Sequence, residues 1–232
     1  MKPSLFKIIF NLIIMISILV IIIAFAACKS NSGAPSYPVT EEDAAVVISN
    51  ALLPQYGGLL AHINDGIRFD QKSVCGIAKD SLVTWANQSA SSPLTYKSNL
   101  QWHYQINCAD SVLSGTYVGS INYSGSHFSA DNTCTGILSC SPQTNQTYKI
   151  GLILNIAGTD AKKEVGANKL TTNIDLKSTD ILVSKVTGLV VSGQIQVSIH
   201  LSYYNYAGTF KFLGNRQATL VLNSGAAYNL SL

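Results

Sequence analysis

The five cysteines have the most distinctive chemistry in this chain. Cys28 follows a long apolar run, and the other four are Cys75, Cys108, Cys134 and Cys140. Four cysteines in an exported chain favour disulfides, although the sequence alone allows three pairings. We expect Cys75 to pair with Cys108 and Cys134 with Cys140, because the five residues between the last two look like a short turn. The alternative is a zinc site. However, Cys134 and Cys140 are farther apart in sequence than paired zinc ligands usually are, and the sequence has no second close pair of cysteines.

The histidines and carboxylates form no recognisable catalytic motif. The four histidines, His62, His103, His127 and His200, lack the spacing of a metalloprotease site, and there is no nucleophile elbow, phosphate loop or dinucleotide fingerprint. His103 and His200 fall on polar strand faces and could share a metal only if their strands were neighbours. Beyond residues 41–43 the only glutamate is Glu164, although glycoside hydrolysis needs two carboxylates across a cleft. We therefore expect no catalytic residue, cofactor or metal, and rank an enzyme third.

Aromatic side chains are the one positive sign of a binding surface. Tyr203, Tyr204 and Tyr206 cluster at a strand end, while Trp102 and Tyr104, with Trp85 nearby, could line a face. Such rings suit stacking on sugars or contact with an apolar ligand. The alternative is that they simply cover a sheet, where tyrosine is favoured.

Residues 1–27 have the pattern of an export signal. Lys2 and Lys7 precede the apolar run from Ile8 to Ala27, and small residues stand directly before Cys28. Phe25-Ala26-Ala27-Cys28 resembles the lipobox of bacterial lipoproteins, with Phe in place of the more common Leu. The resemblance implies cleavage before Cys28 and a diacylglycerol on its sulfur. The alternatives are a transmembrane anchor, since about 20 apolar residues can span a bilayer, and cleavage without lipidation.

The segment 28–39 is polar and punctuated by glycine and proline, which predicts a flexible tether before a single domain at 40–232. Lys29 rather than aspartate follows Cys28, and no acidic cluster comes after it. We therefore expect a lipid-anchored protein of the bacterial cell envelope, at the outer membrane and facing the periplasm.

Charge excludes one class of partner. Without Lys2 and Lys7, 13 of the 15 basic side chains remain against 12 acidic ones, and only two are arginines. Such a balance provides no electrostatic footprint for nucleic acid.

The exported domain should begin with a helix and continue as antiparallel sheet. Thr40 is a good N-cap, residues 41–43 are acidic, and Pro54 ends the apolar period. A second short helix is expected over 59–63, with a break at Asp65-Gly66. From about Asp80 onward the apolar period becomes two, which is typical of strands with one buried face.

About nine to eleven strands are expected. The clearest alternation covers 100–108, 148–156 and 194–203; 111–124 and 169–177 add strands, and the C-terminal meander has strands at about 193–204, 206–213, 216–222 and 227–232. The predicted fold class is mainly β: an antiparallel meander forming one curved sheet, half-barrel, barrel or sandwich, with a short N-terminal helical segment.

Several motifs together resemble uncharacterised Bacteroidetes-type lipoproteins. They are the lipobox, the tether, the acid-capped helix, Asn64-Asp65-Gly66, Cys75 and a terminal stretch from Phe212 to Leu220. The resemblance carries no assigned activity or site residue. Asp80-Ser81-Leu82 and Asp110-Ser111-Val112 also resemble a short O-glycosylation motif of exported proteins from that group.

These observations favour a non-enzymatic envelope module that binds or scaffolds. The partners we expect are the membrane, through the lipid, and an envelope protein, a glycan or an apolar ligand. The second hypothesis is a carrier that holds a lipid or other apolar ligand between a concave sheet and the N-terminal helix, by fold analogy alone.

Overall fold

A capped helix begins the described part of the chain, as the sequence predicts. The computed structural model describes residues 38–87, 92–164 and 169–232, so the predictions for residues 1–27, for Cys28 and for most of the tether fall outside it. Helix α1 (Glu41–Leu52) starts with a capping box, in which the Thr40 hydroxyl accepts from the Asp43 amide and the Asp43 carboxylate accepts from the Thr40 amide. These bonds satisfy amides that the helix leaves free.

Helix α2 (Leu59–Lys72) is longer than the sequence indicates. A 3₁₀ turn (Pro54–Tyr56) and the left-handed Gly57 separate it from α1. The predicted break at Asp65-Gly66 is wrong, since the helix continues through both residues. Gly66 is needed for close packing, because a Cβ there would lie 2.6 Å from a Leu138 methyl group of the sheet.

Over residues 79–231, as far as they are described, ten antiparallel strands form one sheet in chain order, which confirms the predicted meander. The strands are β1 (Lys79–Asn87), β2 (Thr95–Ile106), β3 (Leu113–Ser124), β4 (Phe128–Pro142), β5 (Thr147–Lys162), β6 (Lys169–Ser184), β7 (Val190–Leu201), β8 (Tyr204–Gly214), β9 (Gln217–Leu222) and β10 (Ala227–Ser231). The sheet is open, with β1 and β10 at its two edges. It is therefore a single sheet and not a sandwich.

The sheet has an inner face covered by the helices and an outer face in contact with solvent. Buried and exposed residues alternate along most strands, and the buried set forms one core with α1 and α2. Ten strands about 4.8 Å apart would span roughly 43 Å if flat, whereas two helices of about 10 Å diameter cover only half of that. Because inner-face residues from β2 through β9 are nonetheless buried, the sheet must curl around the helices.

Polar contacts attach the start of the domain to one end of the sheet. The Lys162 ammonium of β5 lies 3.1 Å from the Asp43 carboxylate. The Tyr206 hydroxyl of β8 donates to the Val39 carbonyl at 2.8 Å, and the Ser224 hydroxyl donates to Glu41 at 3.0 Å. The described residues from 38 to 232 form one compact unit with its own core.

Only one of the two expected disulfides is present. Cys75, after α2, is bonded to Cys108, after β2, as predicted. The predicted Cys134–Cys140 bond is wrong: both are free, buried thiols. They lie on the single strand β4, where six residues span about 20 Å, whereas a disulfide needs Cα atoms within about 7 Å.

No helix in the described residues is long and apolar enough to cross a membrane.

Candidate binding pocket

The two strand histidines do not form a shared site. The His103 ring on β2 lies 2.9 Å from Asp80 of β1, and the His200 ring on β7 lies 2.6 Å from Asn205 of β8. Both are exposed, and their strands are five positions apart in the sheet. Within the described ranges, no group of three or more His, Cys, Asp or Glu side chains could hold a metal ion.

Trp102 and Tyr104 lie in the core, which corrects the expectation that they form a ligand-binding face. They project from the inner face of β2 onto α2, where the Phe69 ring stacks on Tyr104 at 4.2 Å and meets Trp102 edge-on at 5.4 Å. The Tyr117 ring of β3 also contacts Trp102, with the ring centroids 4.2 Å apart. The alternation of β2 correctly predicts which side of the strand is buried, but that side faces helix α2 and not a ligand.

The three C-terminal tyrosines separate into two groups. Tyr206 is partly buried, and its hydroxyl donates to the Val39 carbonyl. Tyr203 and Tyr204 lie at the tip of the β7–β8 hairpin, and Tyr203 is 94% exposed. Tyr206 therefore helps to stabilise the fold, whereas Tyr203 and Tyr204 are accessible to solvent.

His62 of α2 is fully buried and links the helix to the sheet. One ring nitrogen lies 3.1 Å from the Tyr117 hydroxyl, and the other lies 3.1 Å from the Gly57 carbonyl. A carbonyl can only accept, so Nε2 carries the proton and Nδ1 accepts from Tyr117. Burial lowers the pKa of His62 from 6.5 to about 4. The imidazole is therefore neutral at physiological pH and has a structural role.

Asp65 is the second buried titratable group of α2. Its carboxylate accepts from the Arg68 guanidinium at 2.9 Å and from the Trp85 indole at 3.2 Å. Desolvation raises the pKa of Asp65 from 3.8 to about 6, against the opposing effects of Trp85 and Arg68. The Trp85 bond links α2 to the edge strand β1, where the Trp85 side chain is 38% exposed.

A third buried cluster joins α1 to β3, β4 and β5. The Tyr123 hydroxyl donates to the Asp160 carboxylate at 3.0 Å and accepts from the Asn50 amide at 3.2 Å, while the Asn132 amide donates to Asp160 at 3.4 Å. Desolvation raises the pKa of Asp160. The adjoining cavity measures about 10 Å³, which at most just admits a single water. The cluster is therefore an internal polar network without room for a substrate.

A larger cavity lies where the helical segment meets the far end of the sheet, and we name it the helix–sheet pocket. Its volume is about 320 Å³, which is within the range of small-molecule sites. Its apolar wall consists of Pro54, Leu60, Ile63, Leu189, Val190 and Leu232. Gln55, Asn64 and Arg216 supply its polar groups, and Arg216 is the cation among them.

The sequence does not predict this pocket, because its lining residues are far apart in the chain. Its residues come from the 3₁₀ turn, α2, the β6–β7 loop, the β8–β9 turn and the last residue, which are brought together only by the curl of the sheet. The sequence predicts Arg216 at the start of the strand at 216–222, and only the structure places it in the β8–β9 turn, with a φ of 60°. Depressions of about 350 and 450 Å³ also occur, over β2–β3 and across β8–β10, but neither is bounded by a helix.

No protein-family model matches this chain, and neither a curated protein nor a solved structure matches it.

Proposed function

We propose that this chain is a lipid-anchored protein of the bacterial cell envelope whose exported domain is a non-enzymatic binding or scaffolding module. The observation that carries the proposal is the filled inner face of the sheet: α1 and α2 occupy it, and the His62, Asp65 and Asp160 clusters bond within it. A filled unit of this kind presents its outer face, its loops and the helix–sheet pocket to partners.

Two further features support export and anchoring. The Cys75–Cys108 disulfide suits an oxidising compartment outside the cytoplasm. The pattern of residues 1–28 suits lipidation of Cys28, at the outer membrane and facing the periplasm, and several acyl chains hold a protein far better than one.

The outer face has a part that suits contact with a protein. Ile137 and Ile153 are directly paired across β4 and β5, and Val118 lies diagonally beside Ile137; each is about half exposed. Elsewhere on this face polar side chains bond to each other, as where the Asn155 amide donates to Asn173 and Asp175.

Photocrosslinking in intact cells tests the scaffolding role. A photoreactive amino acid replaces Ile137 in the full-length chain, and Lys211, which is exposed on the outer face of β8, is the matched control position. A discrete adduct that forms at position 137 and not at position 211 supports a partner on this face. The absence of any discrete adduct at position 137 counts against a scaffold that uses these residues.

The second candidate, a carrier of an apolar ligand, is favoured by the helix–sheet pocket. Its 320 Å³ lie between the helical segment and the sheet, where the carrier hypothesis places its cargo. The chain 29–232, purified without detergent, should then release a stoichiometric amphiphile on solvent extraction. A ligand-free protein whose melting temperature does not rise with added lipid would exclude the carrier role and leave the scaffold.

A further inference from the structure

Arg216 has an unusual backbone conformation for its residue type. Asn215 and Arg216 form the turn between β8 and β9, with φ values of 52° and 60°. Two positive φ values in succession are typical of a type I′ hairpin turn, whose second position is normally glycine. A long side chain in this conformation carries a steric cost that glycine would remove.

Within the described part of the chain, the exposed Arg216 side chain has no partner that would explain this cost. Among the described residues it takes part in no ion pair and donates no side-chain hydrogen bond, and only its carbonyl is engaged, by the Leu232 amide at 2.7 Å. The other arginine, Arg68, is paired with Asp65 at 2.9 Å. Residues in strained backbone conformations cluster at active sites and ligand sites.

The surroundings of Arg216 indicate which ligand would engage it. The residue lines the helix–sheet pocket, whose walls include Leu60, Ile63 and Leu189. At about 30 Å³ per water, the pocket holds roughly ten waters, or a ligand of about a dozen heavy atoms. An apolar wall beside one cation matches a ligand with one aliphatic chain and one negative charge, and a planar guanidinium suits a carboxylate.

We propose that the helix–sheet pocket binds a single-chain aliphatic carboxylate, with the carboxylate on Arg216 and the chain against Leu60, Ile63 and Leu189. This inference rests on the second candidate function, the carrier, and specifies its ligand. Leu189 is 37% exposed and lies in the β6–β7 loop, so the chain can enter beside it.

Calorimetric titration of the chain 29–232 with sodium decanoate, below its micellar concentration, tests the proposal. We expect one site. Arg216→Gly should weaken decanoate binding at least tenfold, since hydrogen bonds to charged groups contribute about this much, and should leave the melting temperature unchanged or higher. Asn215→Gly is the matched control, because it makes the same change in the same turn at a residue outside the pocket lining, and it should bind as the parent does.

A second pair of variants tests the apolar wall independently of the turn. Leu189→Glu should abolish decanoate binding by placing a negative charge in the pocket, whereas Val186→Glu, which is 86% exposed in the same loop and outside the lining, should not.

Decanol separates failure of this inference from failure of the carrier role. If decanol binds as tightly as decanoate and Arg216→Gly has no effect, the carboxylate assignment is overturned while an apolar carrier remains. If neither decanoate nor decanol binds the parent chain, the inference and the carrier role fail together.

Discussion

His62 and Asp65 lie three residues apart on α2, both almost fully buried, and burial shifts their pKa values in opposite directions. The pKa of His62 falls to about 4 and that of Asp65 rises to about 6. Between these values both groups are neutral in the folded protein. Their contributions to stability therefore oppose each other over the same pH interval, and single substitutions should separate them.

Asp65→Asn should remove a stabilisation that exists only in acid. The folded state holds the Asp65 proton more tightly than the unfolded state, so this contribution is complete below about pH 4 and is lost as the pH rises to about 6. The free energy of unfolding of the variant minus that of the parent should therefore increase by about 2–3 kcal/mol between pH 4 and pH 7. Urea unfolding at both pH values measures this change. A free-energy difference between variant and parent that is the same at pH 4 and pH 7 would contradict the Asp65 assignment.

His62→Gln should have the opposite effect. The folded state binds the His62 proton less readily than the unfolded state, so the parent loses stability as the pH falls from about 6.5 to about 4. Glutamine can still accept from Tyr117 and donate to Gly57 but does not titrate. The variant should therefore lose less stability than the parent on acidification, as measured by the same unfolding curves. A His62 variant that loses as much stability as the parent would refute the prediction.

The thiol count distinguishes the observed cysteine arrangement from the expected one. Cys134 and Cys140 are buried, and burial raises the pKa of each thiol to about 12, so neither should react with iodoacetamide in the native state. Unfolding the chain 29–232 without reductant should expose two alkylatable thiols, counted by mass spectrometry. A count of zero would restore the second disulfide.

Reducing the Cys75–Cys108 bond should destabilise the domain. The bond links positions 33 residues apart, for which the chain-entropy estimate is about 3–4 kcal/mol. Thermal unfolding of the chain 29–232 with and without reductant measures the loss, and Cys75→Ser should reproduce it. An unchanged melting temperature would mean that the bond contributes nothing to the folded state.

The strands and the first helix were predictable because each depends on local sequence. Thr40 with its three acidic neighbours specifies α1, and period-two alternation specifies strands such as β2 wherever one face is buried. The sequence alone therefore predicts which side of each such strand is buried.

The errors arose where a distant residue determines the local structure. Gly66 suggests a helix break until Leu138 is placed against it, and Gly136 suggests a turn until the Tyr117 ring is seen to occupy the space of its Cβ. Strand β4 is extended from Cys134 to Cys140, and this separates the two thiols. The helix–sheet pocket was unpredictable for the same reason, since its walls come from segments that meet only in the folded domain.

Membrane anchoring through Cys28 is the central claim about where this domain acts, and intact-mass spectrometry of the membrane-extracted protein tests it most directly. We predict a mass equal to residues 28–232 plus acyl groups, and loss of that species in a Cys28→Ala variant. A mass that retains residues 1–27 in both proteins would contradict lipidation and would indicate a chain held by its uncleaved apolar segment.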